Sequence, residues 1–224
     1  MENLKNKKVL VVGLGTSGLA AVKFLSRAGA RVSVADLKQK SELQSQLCEI
    51  EDLNVECSLG NHDAKLFEKS DLLVISPGVP LDLPEIVRAR ERGAKIIGEL
   101  ELGIAGINRP IIAITGTNGK TTTTTLIEHL LNDSGIKACV AGNIGTPLLD
   151  VVNEANQSDY VVLEVSSFQI ETTPSLSPYI GVLLNTTPDH LDRHHSFDDY
   201  VECKINMLRR VSRDGFAIYN AADA

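Results

Sequence analysis

Tryptophan is absent from the 224 residues, and phenylalanine and tyrosine together make up only 4% of them. The core must therefore be built from Val, Ile, Leu and Ala, which suits strands buried on both faces of an α/β sheet. Four cysteines are present, Cys48, Cys57, Cys139 and Cys203, and no two of them form a C-x-x-C pair. That spacing argues against a structural zinc ribbon or a dithiol redox motif and for reduced thiols. No apolar run is long enough to span a bilayer. The opening MENLKNKK carries no apolar segment of the secretory type. These absences lead us to expect a cytoplasmic protein without a membrane partner. Excess positive charge is missing too: the formal net charge is −7. A general nucleic-acid binder is disfavoured, and any anionic ligand must be held by local groups.

Short apolar runs alternate with helical patterns. KKVLVV (7–12), RVSVA (31–35), DLLVIS (71–76) and AKIIG (94–98) read as buried strands, and 17–28, 39–50 and 82–92 as helices. The alternation breaks at GIAGINRP (103–110), a glycine- and proline-marked junction. A second series follows, with strands at 110–115, 136–140, 159–163, 180–184 and 215–220 and helices at 119–133 and 198–212. The fold class expected is α/β with two parallel-sheet domains. The first, 1–108, is Rossmann-like and the second, 109–224, is a P-loop domain. The second ends directly after a strand, so it reads as unfinished.

Gly13, Gly15 and Gly18 form a full G-x-G-x-x-G between a strand and a helix. In that setting the first glycine makes the tight turn, the second lets phosphate approach the backbone and the third lets helix pack on strand. Asp36 closes the next strand at the distance where an acid can accept from a ribose hydroxyl or a base N–H. NAD and a uridine diphosphate group both fit this geometry. The turn SPGVP (76–80) sits where it could add backbone N–H groups to the same edge.

A second phosphate loop spans Gly116, Thr117, Asn118, Gly119, Lys120, Thr121 and Thr122. The usual opening glycine is replaced by Ile114, yet Gly116 and Gly119 still free the backbone. Lys120 can reach β and γ phosphates and the Thr121 hydroxyl can hold Mg²⁺. Glu164, at the end of the apolar strand DYVVLE, is a candidate further Mg²⁺ ligand. In SFDDYVECKINMLRRV, Ser196 and Asp199 resemble a capping box, which starts a helix near 197. Lys204 then falls on the apolar stripe of Val201, Ile205, Leu208 and Val211. It is either a snorkelling stem with its amine at the rim, or a desolvated, reactive amine able to take up CO₂ as a carbamate. Upstream, NTTPDHLDRHH (185–195) groups three histidines with Asp189 and Asp192. Zinc is conceivable there, but the cluster has neither a cysteine pair nor a helical H-x-x-x-H. His190, nearest the preceding strand, is the histidine expected in the site.

GTNGKTTTT, LEVSSFQIETT, NTTPDHLDRH and DYVECK, in this order behind a G-x-G-x-x-G domain, resemble the Mur ligases, which build the peptidoglycan stem peptide. The resemblance runs along essentially the whole chain. It implies that the first loop holds the UDP of UDP-N-acetylmuramoyl-L-alanine and the second holds ATP. D-glutamate would be joined through an acyl phosphate, with release of ADP and phosphate. Carried over by position, Lys120, His190 and Lys204 would be catalytic. Thr121 and Glu164 would bind one Mg²⁺, and His190 with a carbamylated Lys204 a second. Gly15, Thr16, Ser17, Gly18, Asp36, Ser76, Gly78, Asn143, Ser166 and Gln169 would contact the UDP-substrate or the phosphates, with Asp36 on uracil. Two places depart from the family pattern: His195 stands where glycine is usual, and Asn220-Ala-Ala-Asp223 replaces N-A-D-D. Family members also carry a third domain. The chain is thus expected to be a monomeric N-terminal portion, inactive alone. The alternatives are an NAD(P)-binding redox module and a non-catalytic nucleotide-binding regulator.

Overall fold

In the computed structural model, residues 3–143, 145–190, 193–194 and 196–222 are described. His195, one of the two departures from the family pattern, and Asp192 of the histidine-rich loop lie outside them, while Ala222, the other departure, lies within. The chain divides into two compact units, Met1–Leu102 and Gly103–Ala224. No helix among the described residues is long and apolar enough to cross a membrane.

The first unit is a five-stranded, wholly parallel sheet in the order β3-β2-β1-β4-β5. Its strands are β1 (Lys8–Val12), β2 (Arg31–Asp36), β3 (Glu56–Leu59), β4 (Leu72–Ile75) and β5 (Lys95–Gly98). Central β1 is covered on both faces, and Leu10, Val11 and Val12 have no exposed surface. Helices α1 (Thr16–Arg27), α2 (Gln44–Cys48), α3 (Ala64–Lys69), α4 (Pro84–Glu91) and α5 (Glu99–Ile104) complete the order. The helix expected over 39–50 is broken into a 3₁₀ turn at Lys40–Glu42 and the short α2, with another 3₁₀ turn at Glu51–Leu53. Only Leu43 and Ile50 are buried in this stretch, too few anchors to hold a continuous helix on the sheet. Strand β3 was not expected, because ECSL at an exposed edge shows no apolar alternation.

The second unit is also five-stranded and parallel, in the order β10-β9-β6-β8-β7. It contains β6 (Ile111–Thr115), α6 (Lys120–Asp133), β7 (Ala138–Gly142), α7 (Leu148–Ala155), β8 (Tyr160–Glu164), α8 (Ser167–Glu171), β9 (Ile180–Leu183), α9 (Phe197–Arg209) and β10 (Phe216–Tyr219). Both sheets have a switch point, where the chain leaves neighbouring strands toward opposite sides: between β1 and β4, and between β6 and β9. Ligand crevices in open parallel sheets form at the carboxyl ends of such strands. Each glycine-rich turn lies there.

Candidate functional site

In the first unit the turn after β1 is built by close approach. A side chain on Gly18 would put Cβ 1.9 Å from the Gly13 carbonyl oxygen. One on Gly13, whose φ is +89°, would meet Ser76 Cβ at 2.9 Å. Gly15 and Gly78, in contrast, face open space, with nothing within 4 Å of an added Cβ. Gly13 and Gly18 therefore serve packing, while Gly15 and Gly78 leave room beside the backbone for a ligand. Thr16 is exposed and Ser17 half-buried at the first turn of α1. The Ser76 hydroxyl donates to the Gly13 carbonyl at 2.8 Å and ties the two turns together. Asp36 accepts from the Leu14 N–H at 2.7 Å through Oδ2 and from the Lys38 N–H at 2.8 Å through Oδ1. Its carboxylate thus pins the glycine turn to the end of β2, a job the sequence did not reveal.

In the second unit, Gly119 at φ +82° starts α6 and has no side chain to cap it. The amides of the first helical turn are left for an anion. Thr117, Asn118, Gly119, Lys120, Thr121, Thr122, Asn143 and Glu164 line one pocket of about 240 Å³. Lys120 Nζ donates to the carbonyls of Gly116 and Thr117, both at 2.9 Å. Glu164 is 2% exposed and accepts from the Asn143 side-chain amide at 3.1 Å. The Asn143 N–H donates to the Glu164 carbonyl at 2.8 Å. Gly142 permits this contact, since a Cβ there would come within 2.2 Å of the same oxygen.

The loop is held from outside by the segment after β9. The Thr117 N–H donates to the Asn185 carbonyl at 2.9 Å, and the Asn118 N–H to Asn185 Oδ1 at 2.9 Å. The Thr117 hydroxyl meets Thr187 N, Thr187 O and the Tyr200 hydroxyl at 3.0 to 3.1 Å.

Lys204 is 2% exposed, so the snorkelling alternative is excluded. Its Nζ donates to the Gly116 carbonyl at 3.1 Å and lies 4.5 Å over the Tyr200 ring. Burial first, and the Lys120 ammonium second, lower the amine from its usual 10.5 to about 8, against the opposing pull of Cys203 and Asp189. The helix beneath it begins at Phe197, with the Ser196 hydroxyl accepting from the Asp199 N–H. Ser166 and Gln169 form a capping box at the start of α8: the Ser166 N–H and hydroxyl both donate to Gln169 Oε1. The Gln169 N–H in turn donates to the Ser166 hydroxyl at 3.3 Å.

His190 is exposed at φ +51°, with its ring 5.2 Å from that of Phe168. Neither it nor Lys204 lines the Lys120 pocket. Among the described residues the buried histidine is His194, 4% exposed, with Nε2 2.9 Å from the Ser167 hydroxyl. Burial first, then Arg193, Lys204 and His190, lower its pKa, with Asp199 opposing. Sequence reasoning missed it because neighbouring histidines look alike until the fold buries His194 and leaves His190 exposed. Among the described residues no three His, Cys, Asp or Glu side chains gather as a metal cluster; Asp192 and His195 of the histidine-rich loop lie outside them.

Two family profiles match: "Mur ligase MurD-like, N-terminal domain" over residues 7–98 and "Mur ligase middle domain" over 114–224. Among similar proteins are those named UDP-N-acetylmuramoylalanine--D-glutamate ligase from Geotalea daltonii and Acidobacterium capsulatum. Each is 46% identical over 220 residues, 98% of this chain, and the match covers 49% and 48% of the relatives. The chain thus spans about half the length of the curated relatives it matches. Among solved structures, a UDP-N-acetylmuramate:L-alanyl-gamma-D-glutamyl-meso-diaminopimelate ligase from Neisseria meningitides is 21% identical. It has a TM-score of 0.60 over 96% of this chain and 72% of that one. A murein peptide ligase from Psychrobacter arcticus is 20% identical, with a TM-score of 0.54 over 96% and 49%. Both share the fold.

Proposed function

The chain belongs to the Mur ligase family, and on that footing we propose that it carries the two nucleotide sites of an ATP-dependent cytoplasmic ligase of peptidoglycan synthesis. The reaction assigned is addition of D-glutamate to UDP-N-acetylmuramoyl-L-alanine. Residues 1–108 would hold the UDP-substrate, with Gly15, Thr16, Ser17, Gly18, Asp36, Ser76 and Gly78 at the nucleotide. Residues 109–224 would hold ATP. One observation carries the reading: a lysine, a hydroxyl and a buried carboxylate converge on one glycine-rich pocket.

The residues present fit a nucleoside triphosphate with a hard cation. A buried carboxylate whose side-chain hydrogen-bond partner among the described residues is a neutral amide is costly unless a cation completes it, and the Thr121 hydroxyl supplies a second hard oxygen. Mg²⁺ bound there would neutralise charge on the transferring phosphoryl group. Lys120 Nζ, now on two loop carbonyls, is placed to turn to the β and γ phosphates. The substrate carboxylate then attacks the γ-phosphorus, ADP leaves, and the D-glutamate amine displaces phosphate from the acyl carbon while losing a proton. We assign Asn143 to the phosphates or the muramoyl arm. Ser166 and Gln169 would shape that arm's seat through their capping box. Burial favours the neutral Lys204 amine, which can add CO₂ with loss of a proton. The resulting carbamate would join His190 at a second Mg²⁺.

The relatives bearing the ligase name are about twice as long, so ligand binding rather than turnover is the direct test. Calorimetry of the chain with ADP should show affinity that rises with Mg²⁺. Glu164→Gln should abolish most of that Mg²⁺ increment, a loss of about tenfold, and leave Mg²⁺-free binding within about twofold. Thermal shift should respond to UDP-N-acetylmuramoyl-L-alanine and not to NAD. A response to NAD alone would favour the redox module.

A further inference from the structure

His190 and Lys204 do not touch in the structure, yet three rings connect them. The His190 ring packs on Phe168 at 5.2 Å. Phe168 stacks on His194 at 5.3 Å with planes 11° apart. His194 meets Tyr200 edge-on at 5.1 Å, and Lys204 Nζ lies 4.5 Å from the Tyr200 ring centre. His194 is the middle of this series and one of its most buried members.

His194 Nε2 lies 2.9 Å from the Ser167 hydroxyl, and Nδ1 lies 3.5 Å from Glu171 Oε1. The Tyr200 hydroxyl lies 3.0 Å from the Thr117 hydroxyl. The Thr117 hydroxyl also meets the Thr187 carbonyl at 3.1 Å and accepts from the Thr187 N–H at 3.0 Å. Tyr200 is thereby tied to the phosphate loop.

We propose that His194 is a positioning residue. Clamped by Ser167 and packed between Phe168 and Tyr200, it fixes the separation of His190 from Lys204 and seats the Thr117 end of the phosphate loop. The ligand arm of its test rests on the nucleotide reading above; the ligand-free arm does not.

The test uses the labelled 224-residue chain. In the free protein, the Lys204 ε-methylene resonance should be displaced by the Tyr200 ring current, and the Thr117 and Asn118 amides protected from exchange. His194→Ala should move the Lys204 resonance toward that of free lysine, speed Thr117 exchange about tenfold and weaken Mg·ADP binding about fivefold to tenfold. Ser167→Ala keeps the ring and loses only the clamp, and His194→Phe keeps a ring while losing the Ser167 and Glu171 contacts. Each should give an intermediate effect, with His194→Phe recovering at least half of the His194→Ala loss. If His194→Ala does not fold, as circular dichroism will show, Ser167→Ala decides alone. A Lys204 resonance and a Thr117 exchange rate unchanged in Ser167→Ala, or no recovery in His194→Phe, overturns the proposal. Wild-type protein that ignores Mg·ADP sinks the nucleotide reading instead, and the resonance arm still judges His194.

Discussion

Replacing Lys204 with methionine should change how the stability of the second unit depends on pH. The lysine amine is buried, and its pKa is lowered from 10.5 to about 8. That gap corresponds to about 3 kcal/mol between the two protonation states. The sign follows from which state binds the proton. Between about pH 8 and 10.5 the unfolded lysine is protonated and the folded one is not, so stability rises with pH there. Below pH 8 the folded protein bears the full penalty of a buried ammonium. Methionine has similar length and no charge, so it removes the penalty. It also removes the hydrogen bond to the Gly116 carbonyl, worth about 1 kcal/mol, and the contact with the Tyr200 ring, worth about 1 kcal/mol. At pH 7 the variant should therefore be more stable by about 1 kcal/mol. Raising the pH to about 9.5 should stabilise wild type alone by about 2 kcal/mol, reversing the order. The assay is urea unfolding followed by tyrosine fluorescence. All four tyrosines, Tyr160, Tyr179, Tyr200 and Tyr219, lie in the second unit and tryptophan is absent, so the signal reports that unit. Cys139 and Cys203, pushed up by burial to about 11 and about 12, titrate in both proteins and largely cancel in the difference. Parallel stability curves for the two proteins between these pH values would refute the reasoning.

Other outcomes follow from close contacts and exposure. Gly18→Ala should destabilise the first unit by about 3 kcal/mol or more, since its Cβ cannot coexist with the Gly13 carbonyl; a thermal melt by circular dichroism reads this. Gly15→Ala, at a position with open space, should melt like wild type and yet lose about tenfold in affinity for a UDP-substrate, measured by calorimetry. A thiol reagent at pH 8 should label Cys48 and Cys57, the two exposed cysteines, with Cys57 slower because burial and Glu56 raise its pKa. Cys139 and Cys203 should react only after unfolding.

The strands, the two glycine turns and the helix start at Ser196 were legible in the sequence because their signals are local. Buried parallel strands read as unbroken runs such as VLVV and IIAI. A turn that admits no Cβ reads as glycine, and a helix start reads as Ser196 three residues before Asp199. Strand β3 and helices α3, α5, α7 and α8 were not legible. They are four to eight residues long and lean on neighbours rather than on their own periodicity. The 39–50 stretch misled in the opposite direction, because its helical composition lacks a face that the sheet can bury.

The candidate site divides along the same line. Lys120, Thr121, Gly116 and Gly119 announce a phosphate loop because its chemistry is written in consecutive residues, and Glu164 announces itself as a carboxylate at the end of an apolar strand. The sequence alone determined these, together with two parallel α/β units and the family. Only the tertiary structure decided that Lys204 is buried against Gly116, 88 residues away, and that Asp36 holds the glycine turn. It also decided that His194 enters the interior while His190 stays exposed. The physical reason is the strand order. Placing β6 between β8 and β9 brings three distant chain segments to one sheet edge, and the burial and hydrogen bonds that set each side chain's chemistry exist only once that edge is assembled.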